Sequence, residues 1–478
     1  MKIDLTPYPS YKDSGLPWLG EVPEHWGIER AKWLFRKMDR PVSEGDEVVT
    51  CFRDGVVTLR RNRRVRGFTE SLKEIGYQGI HRGDLVIHGM DAFAGAVGVA
   101  DSDGKGTPVY SVCQPRPGAD AHYYAYVVGE MARSRWILAL AKGIRERSTD
   151  FRFEGFAALQ VPVPPPSEQA AIFTFLRHVD HIVRRYVRAR HKLIVRLEEE
   201  ERAIIDRAVT GCSESATEAS PLGDARCPNA FMRCKQARLG RVCESIRDGT
   251  HNPPPAVQGV HRLLSVRNIV HGRFVTRADD RTMSPEAFEE LQRSYTVRRG
   301  DVVLALVGAT TGKSALVEEM EHVTVQRSIG ILRPDRRVLD AGFLNLVLRS
   351  SPIQNQIRST MKKYAAQPGI YLEDVGRLQV IIPGIEEQQA VVREVGRQIA
   401  RVERLTTRMT RSVELLQEYR TRLFADCVTG KVDVREAAAN MPDQIAQAEA
   451  VEDLGTWVAE DEVDDEVPPG TALEEVGA

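Results

Sequence analysis

The sequence predicts an α+β chain: two similar mixed α/β domains, separated by two long helices that pair as an antiparallel coiled coil. A repeat and a spacing carry this expectation. Residues 159–211 and 378–430 both open on Leu-Gln-Val, reach Glu-Gln, and close on Val-Thr-Gly. Gln169 stands to Gln388, Val209 to Val428 and Gly211 to Gly430 at one offset of 219 residues. An ungapped offset that long marks two copies of one structural unit. The spacing is that of apolar residues within each copy, which recur every seven.

Each copy reads as one rod, over 167–211 and 385–430. Pro166 and Pro383 stop short of it, because proline is excluded from helix interiors. Ser167 is a fair N-cap, with Glu168 placed to suit the helix dipole. Gly211 and Gly430 stand as C′ glycines. Roughly 43 residues lie between, about 60 Å of helix. Ile172, Val179, Tyr186 and Leu193 form the seam of the first rod, with Phe175, Ile182 and Ala189 between them. Val395, Val402, Met409, Leu416 and Leu423 form that of the second, helped by Ile399, Val413 and Tyr419. That is an a/d pattern, and the simplest partner for each rod is the other.

The rest of the chain falls around the rods. Residues 1–25 form an arm rich in Pro, Gly and aromatics, with Trp18 and Trp26 to be packed away. Residues 26–166 and 237–384 are the two globular domains, and 212–236 is a polar linker. RGDLVIHGMDAFAGAVGVA (82–100) matches RGDVVLALVGATTGKSALV (299–317) weakly, as a turn followed by a buried strand. HYYAYVVGEMARSRWILALA (122–141) and AGFLNLVLRSSPIQNQI (341–357) are helices at matching places.

No run approaches 18 apolar residues, so no membrane span is expected, and residues 1–15 lack a signal-peptide core. Seven scattered cysteines without a CxxC pair suit a reduced, cytoplasmic chain with no metal site. The net charge of −1 hides an asymmetry. Residues 441–478 hold twelve acidic residues and no Lys or Arg; removing them leaves +11 on residues 1–440. The acidic stretch, 431–478 in the domain division, is expected to be disordered. A basic body points to nucleic acid.

Catalytic signatures are weak. GATTGKS (308–314) is one residue short of the phosphate-wrapping loop of nucleotide-binding proteins. HNPPP (251–255) puts Pro255 where an adenine methyltransferase needs a stacking aromatic ring. No histidine pair has ligand spacing, so no catalytic residue is assigned.

Basic clusters are the stronger signal. Arg60, Arg61, Arg63, Arg64 and Arg66 share one loop that would repel itself unless anions approach. Lys142, Arg145 and Arg147 in the first half match Lys362 and Lys363 in the second, and Arg267 and Asn268 flank a β-rich run. Arg clasps a guanine edge, Asn an adenine edge, and Lys mostly holds phosphate.

YKDSGLPWLGEVPEHW, PVPPPSEQ, VIIPGIEEQ, the AVTG and CVTG exits and RGDVVLALVGATTGK together resemble the specificity (S) subunit of type I restriction–modification systems, over about residues 7–432. The resemblance implies two target-recognition domains, each reading half of a split double-stranded DNA sequence, on two spacer helices. It implies two methyltransferase (M) subunits and restriction (R) subunits as partners. S-adenosylmethionine, ATP and Mg would sit on those partners, with no cofactor or catalytic site in this chain. The acidic tail has no counterpart in that family pattern. A coiled-coil scaffold without DNA, or a nucleotide-binding protein, are the alternatives left open.

Overall fold

The structure is a computed structural model that describes residues 5–63, 75–140, 151–211, 235–318, 320–361 and 368–441. The chain divides into two compact units, Met1–Val187 with Glu414–Ala478, and Arg188–Val413. The rods are therefore not a separate domain. Each unit contains half of each long helix, the start of one beside the end of the other, which is the antiparallel pairing expected.

In the first unit a four-stranded antiparallel sheet runs Phe35–Lys37, Tyr110–Pro115, Leu85–His88, Val97–Val99 in spatial order. Helix Ala121–Arg133 lays Tyr123, Val127, Val128 and Met131 into the core shared with Leu85, Ile87 and Cys113. In the second unit a six-stranded sheet runs Cys243–Asp248, Ile329–Pro334, Val302–Ala305, Ser314–Leu316, Arg273–Phe274, Ile269–Val270. Helix Ala341–Arg349 buries Phe343, Leu344 and Leu348 against it. Both predicted long helices of the globular parts are broken. The first restarts at Trp136 after Arg135 takes φ +60. The second restarts at Ser351 after Ser350 takes extended backbone, because Pro352 has no N–H to continue the preceding helix and suits only the first turn of a new one.

The long helices span Pro166–Thr210 and Ile385–Val428. Pro166 thus opens the first helix rather than preceding it, and Ser167 lies inside it. Proline suits the first helical turn, where its missing N–H would have no partner anyway. Gln169 and Gln388, both 0% exposed, lock the two starts identically. Gln169 Oε1 accepts from Asp120 N (2.9 Å), and its Nε2 donates to the carbonyls of Pro164 (2.8 Å) and Gly118 (3.1 Å). Gln388 does the same with Asp340 N (2.8 Å) and the carbonyls of Pro383 (2.8 Å) and Val338 (2.9 Å). Asp120 and Asp340 are the N-caps of the globular helices. The repeated Glu-Gln therefore ties each rod to its globular helix.

The second seam holds at Val395, Val402 and Leu423, which are buried, and at Met409 and Leu416, which are half-buried. Of its helpers Ile399 and Val413 are buried, but Tyr419 is 53% exposed and the half-buried neighbour is Arg420. The first holds only for Ile172 and Val179. Tyr186 is 56% and Leu193 39% exposed. The inward row instead runs 172, 176, 179, 183, 187, 190, 194, 197, 201, 204, 208, with two steps of four in succession after 179. A helix turns once in 3.6 residues, so a strict seven drifts off the face by about 20° per heptad, and an extra step of four restores it. Arg190 and Glu201 enter the altered row, and polar contacts flank it. Arg420 reaches Asp180 at 2.5 Å in the first unit. In the second, Arg349 pairs with Glu201, and Asp206 accepts from Ser351 N (2.7 Å) and Oγ (2.6 Å).

The arm packs as expected, with Trp26 at 0% exposure and Trp18 against the same core. Tyr8 Oη, His25 Nε2 (2.9 Å) and Trp26 Nε1 (3.1 Å) converge on Glu168, a carboxylate 2% exposed. The arm also meets the far end of the chain, where Asp433 N donates to the Thr6 carbonyl at 2.8 Å. Residues 431–441 are thus ordered, with Val434 at 0% exposure, which moves the start of the predicted tail to 442. Residues 442–478, and with them the expected disorder, lie outside the described residues.

Candidate nucleic-acid interface

Each unit builds one rigid strand and a defined exit from it. Gly83 (φ +91) and Gly300 (φ +87) make the Arg-Gly-Asp turns, in a backbone region that only glycine adopts cheaply. The following aspartates are buried and hold the turns. Asp84 accepts from His81 N (2.8 Å) and pairs with Arg40; Asp301 accepts from Arg298 N (2.8 Å) and is clasped by two Arg333 nitrogens at 2.8 Å. The strands Leu85–His88 and Val302–Ala305 then run through the cores.

At each exit the chain is strapped to the residues just after a basic segment. Phe151 N donates to the Gly89 carbonyl at 3.0 Å, immediately after 141–150. Ile370 N donates to the Leu306 carbonyl (2.9 Å) and Gly308 N to that of Pro368 (3.0 Å), immediately after 362–367. Lys142, Arg145, Arg147, Lys362 and Lys363 themselves lie outside the described residues, as do Arg64 and Arg66. Phe151 and Ile370, which follow the basic stretches 141–150 and 362–367, are bonded to equivalent carbonyls in the two units.

The GATTGKS stretch forms the second exit. Gly308 (φ +86) and Gly312 (φ +91) turn it, Thr311 Oγ1 donates to the Gly308 carbonyl (2.7 Å), and Gln354 Nε2 to that of Gly312 (2.8 Å). The chain then enters the strand Ser314–Leu316, not a helix, and Ser314 Oγ is buried against Asn345 Oδ1 at 3.0 Å. A phosphate-wrapping loop needs a helix N-terminus behind it and a free hydroxyl for the metal. Both are lacking, which removes the nucleotide-binding reading. The same turn, bonded to Pro368 through Gly308 N, leaves Lys313 exposed. Lys313 was missed as a candidate because its motif was weighed only for nucleotide chemistry.

The other candidates are distributed differently. Arg60 donates to Thr50 Oγ1 (3.3 Å). Arg61 pairs with Glu47 (2.6 Å), and Arg63 pairs with Asp54 (2.7 Å) while lying 4.4 Å from the Phe52 ring centre. Local carboxylates thus supply much of the countercharge that sequence alone left to an outside anion. Arg267 bridges Asp279 (2.7 Å) and Asp280 (2.9 Å), and the hydrogen bond to Asp279 raises its pKa further while lowering that of the carboxyl. Asn268 is 0% exposed. Its Oδ1 accepts from Ser265 N, and its Nδ2 donates to the Val275 carbonyl and Asp280, each at 2.9 Å. It holds its own loop together and is not presented to a base.

Among the described residues no three His, Cys, Asp or Glu side chains are grouped to hold a metal ion, and no helix is long and apolar enough to cross a membrane.

No family model matches the chain. It is 26% identical over 166 residues to the specificity subunit of the type I restriction enzyme EcoBI from Escherichia coli, covering 35% of this chain and 34% of that one. It is 21% identical over 302 residues to the EcoKI specificity subunit of E. coli strain K12, covering 61% of each. The chain is a relative of type I restriction enzyme specificity subunits. It matches 34% and 61% of the length of these two specificity subunits. A solved chain from work on complex assembly and conformational transition of the type I R-M system has the same fold, at a TM-score of 0.58 and 13% identity. That match covers 85% of this chain and 98% of the other.

Proposed function

We propose that this relative of the specificity subunits is a non-catalytic, sequence-specific DNA-binding subunit of a type I restriction–modification complex. Each unit reads one half of a bipartite target in double-stranded DNA. The paired helices set the distance between the halves, since DNA is stiff over such spans. One observation supports the reading: in both units the residues that follow a basic stretch of sequence are bonded to the same strand exit, on one repeated scaffold. Lysines there and Lys313 hold phosphates and fix register, and neighbouring loop side chains read base edges in the major groove.

On this reading the helices also dock two methyltransferase subunits, and restriction subunits join them. S-adenosylmethionine, ATP and Mg belong to those partners, and the assembly works in the cytoplasm. Methylation sequencing of a host carrying the chain with its methyltransferase partner tests the reading. Methyladenine at both halves of one split motif, absent when the gene is deleted, is the expected result. Methylation of the same sites without the chain, or methyl transfer by the purified chain alone, contradicts it.

A further inference from the structure

We propose that the acidic C-terminal sequence, residues 442–478, docks on a cationic sheet edge of the first unit. The edge is the strand Phe35–Lys37, outermost in its sheet, with Tyr110–Pro115 as its one neighbour in that sheet. Phe35 N already donates to the Ala31 carbonyl, so the outer side offers an added chain the Lys37 N–H and the Phe35 and Lys37 carbonyls. Arg30, Lys32, Arg36 and Arg116 surround it, all exposed, and none forms an ion pair among the described residues. Gln114 lies opposite Arg36, so Arg36 and Arg116 share one face as diagonal neighbours. Lys37 stands 3.8 Å from Glu154, itself 74% exposed, a pairing too wet to neutralise the edge. Trp33, 62% exposed with Lys32 Nζ 4.9 Å from its ring centre, adds an apolar contact to the charge.

Arg53, Arg61 and Arg133 of this unit are matched locally, by Asp91, Glu47 and Glu130. Arg82, Arg135 and Arg185 are exposed without an ion pair among the described residues but are scattered along the chain, whereas the strand edge brings four such cations to one short stretch and its neighbouring strand. Residues 442–478 supply the opposite charge: twelve carboxylates and no Lys or Arg, six of them within 460–466. They leave from Met441, which packs on the core of the same unit. The root-mean-square span of a random-coil chain as long as 441–460 is about 25 Å. A compact unit of this size has a radius of gyration of about 18 Å, so the acidic run reaches the edge without strain.

Zero-length carbodiimide cross-linking of the full chain, at low salt and without DNA, tests this independently of the DNA-reading proposal. Amides between carboxylates of 460–466 and Lys32 or Lys37 should predominate over those to other exposed lysines. Their yield should be unchanged on dilution and fall several-fold in Arg30→Gln/Arg36→Gln/Arg116→Gln. Links spread evenly over exposed lysines, or a yield lost on dilution or indifferent to the three substitutions, would overturn the proposal. A second measurement needs no surface substitution. Hydrogen exchange of the Lys37 amide, the outward one of this strand, should be slower in the full chain than in one truncated after 441, and equal rates would also overturn it.

Discussion

Glu168 and Glu387 stand at the same place in the two copies, one residue before the buried glutamines, and have opposite fates. Glu168 is buried under Tyr8, His25 and Trp26 of the arm, whereas Glu387 is exposed. The adjacent glutamines make the same three bonds in both units. What repeats is the joint between rod and globular helix. What differs is what each start is covered by.

The comparison is broken most severely at the carboxylates. Glu168→Ala leaves a phenol, an indole and an imidazole without their common acceptor and should cost about 3 kcal/mol or more. Glu387→Ala should stay within about 0.5 kcal/mol, as exposed substitutions do. Chemical denaturation of both variants checks this, and equal losses would mean that the arm contributes little.

A smaller contrast sharpens the seam. Ile194→Ala should destabilise the chain by about 1 kcal/mol more than Leu193→Ala, because the inward row passes through 194. The reverse order in thermal unfolding would restore the strict heptad. At the second strand exit, Lys313→Gln should weaken DNA binding and flatten its salt dependence by about 0.9 in the log–log slope if it holds one phosphate. Titrations at several salt concentrations read that slope, and an unchanged one removes Lys313 from the interface.

The mildest effect is electrostatic. The Asp433 carboxyl is held below its ordinary value, first by the hydrogen bond from Arg435. A depressed folded pKa contributes stability above the ordinary carboxylate range and loses it as pH falls through the folded value. Arg435→Gln should therefore narrow the stability difference between neutral and acid pH. Denaturation midpoints at pH 7 and pH 3 would show it, and an unchanged difference would contradict it.

The rods and their pairing were legible because prolines, closing glycines and the repeat pointed one way, although Pro166 opens the first rod and Ser167 lies inside it instead of capping it. The second seam was legible at every seventh residue, though not at Tyr419, which is exposed. The first was not beyond Val179, because the extra step of four replaces a regular period with a half-buried Arg190 and a buried Glu201. The fate of Asn268 was invisible for a different reason. A short polar side chain beside an arginine looks the same in sequence whether it faces DNA or caps its own turn, and only Asp280, twelve residues on, decides it. The burial of Glu168 depended on contacts with an arm more than 140 residues away, beyond any local pattern.

The spacing role of the helix pair is the central claim, and methylation mapping of a shortened pair tests it most directly. Deleting 190–196 together with 404–410 removes one heptad from each rod and leaves both inward rows in phase. Each rod loses about 10 Å, close to three base pairs. The account predicts a complex that still methylates both half-sites, unchanged in sequence, across a gap shortened by about that amount. An active complex with an unaltered gap would contradict it.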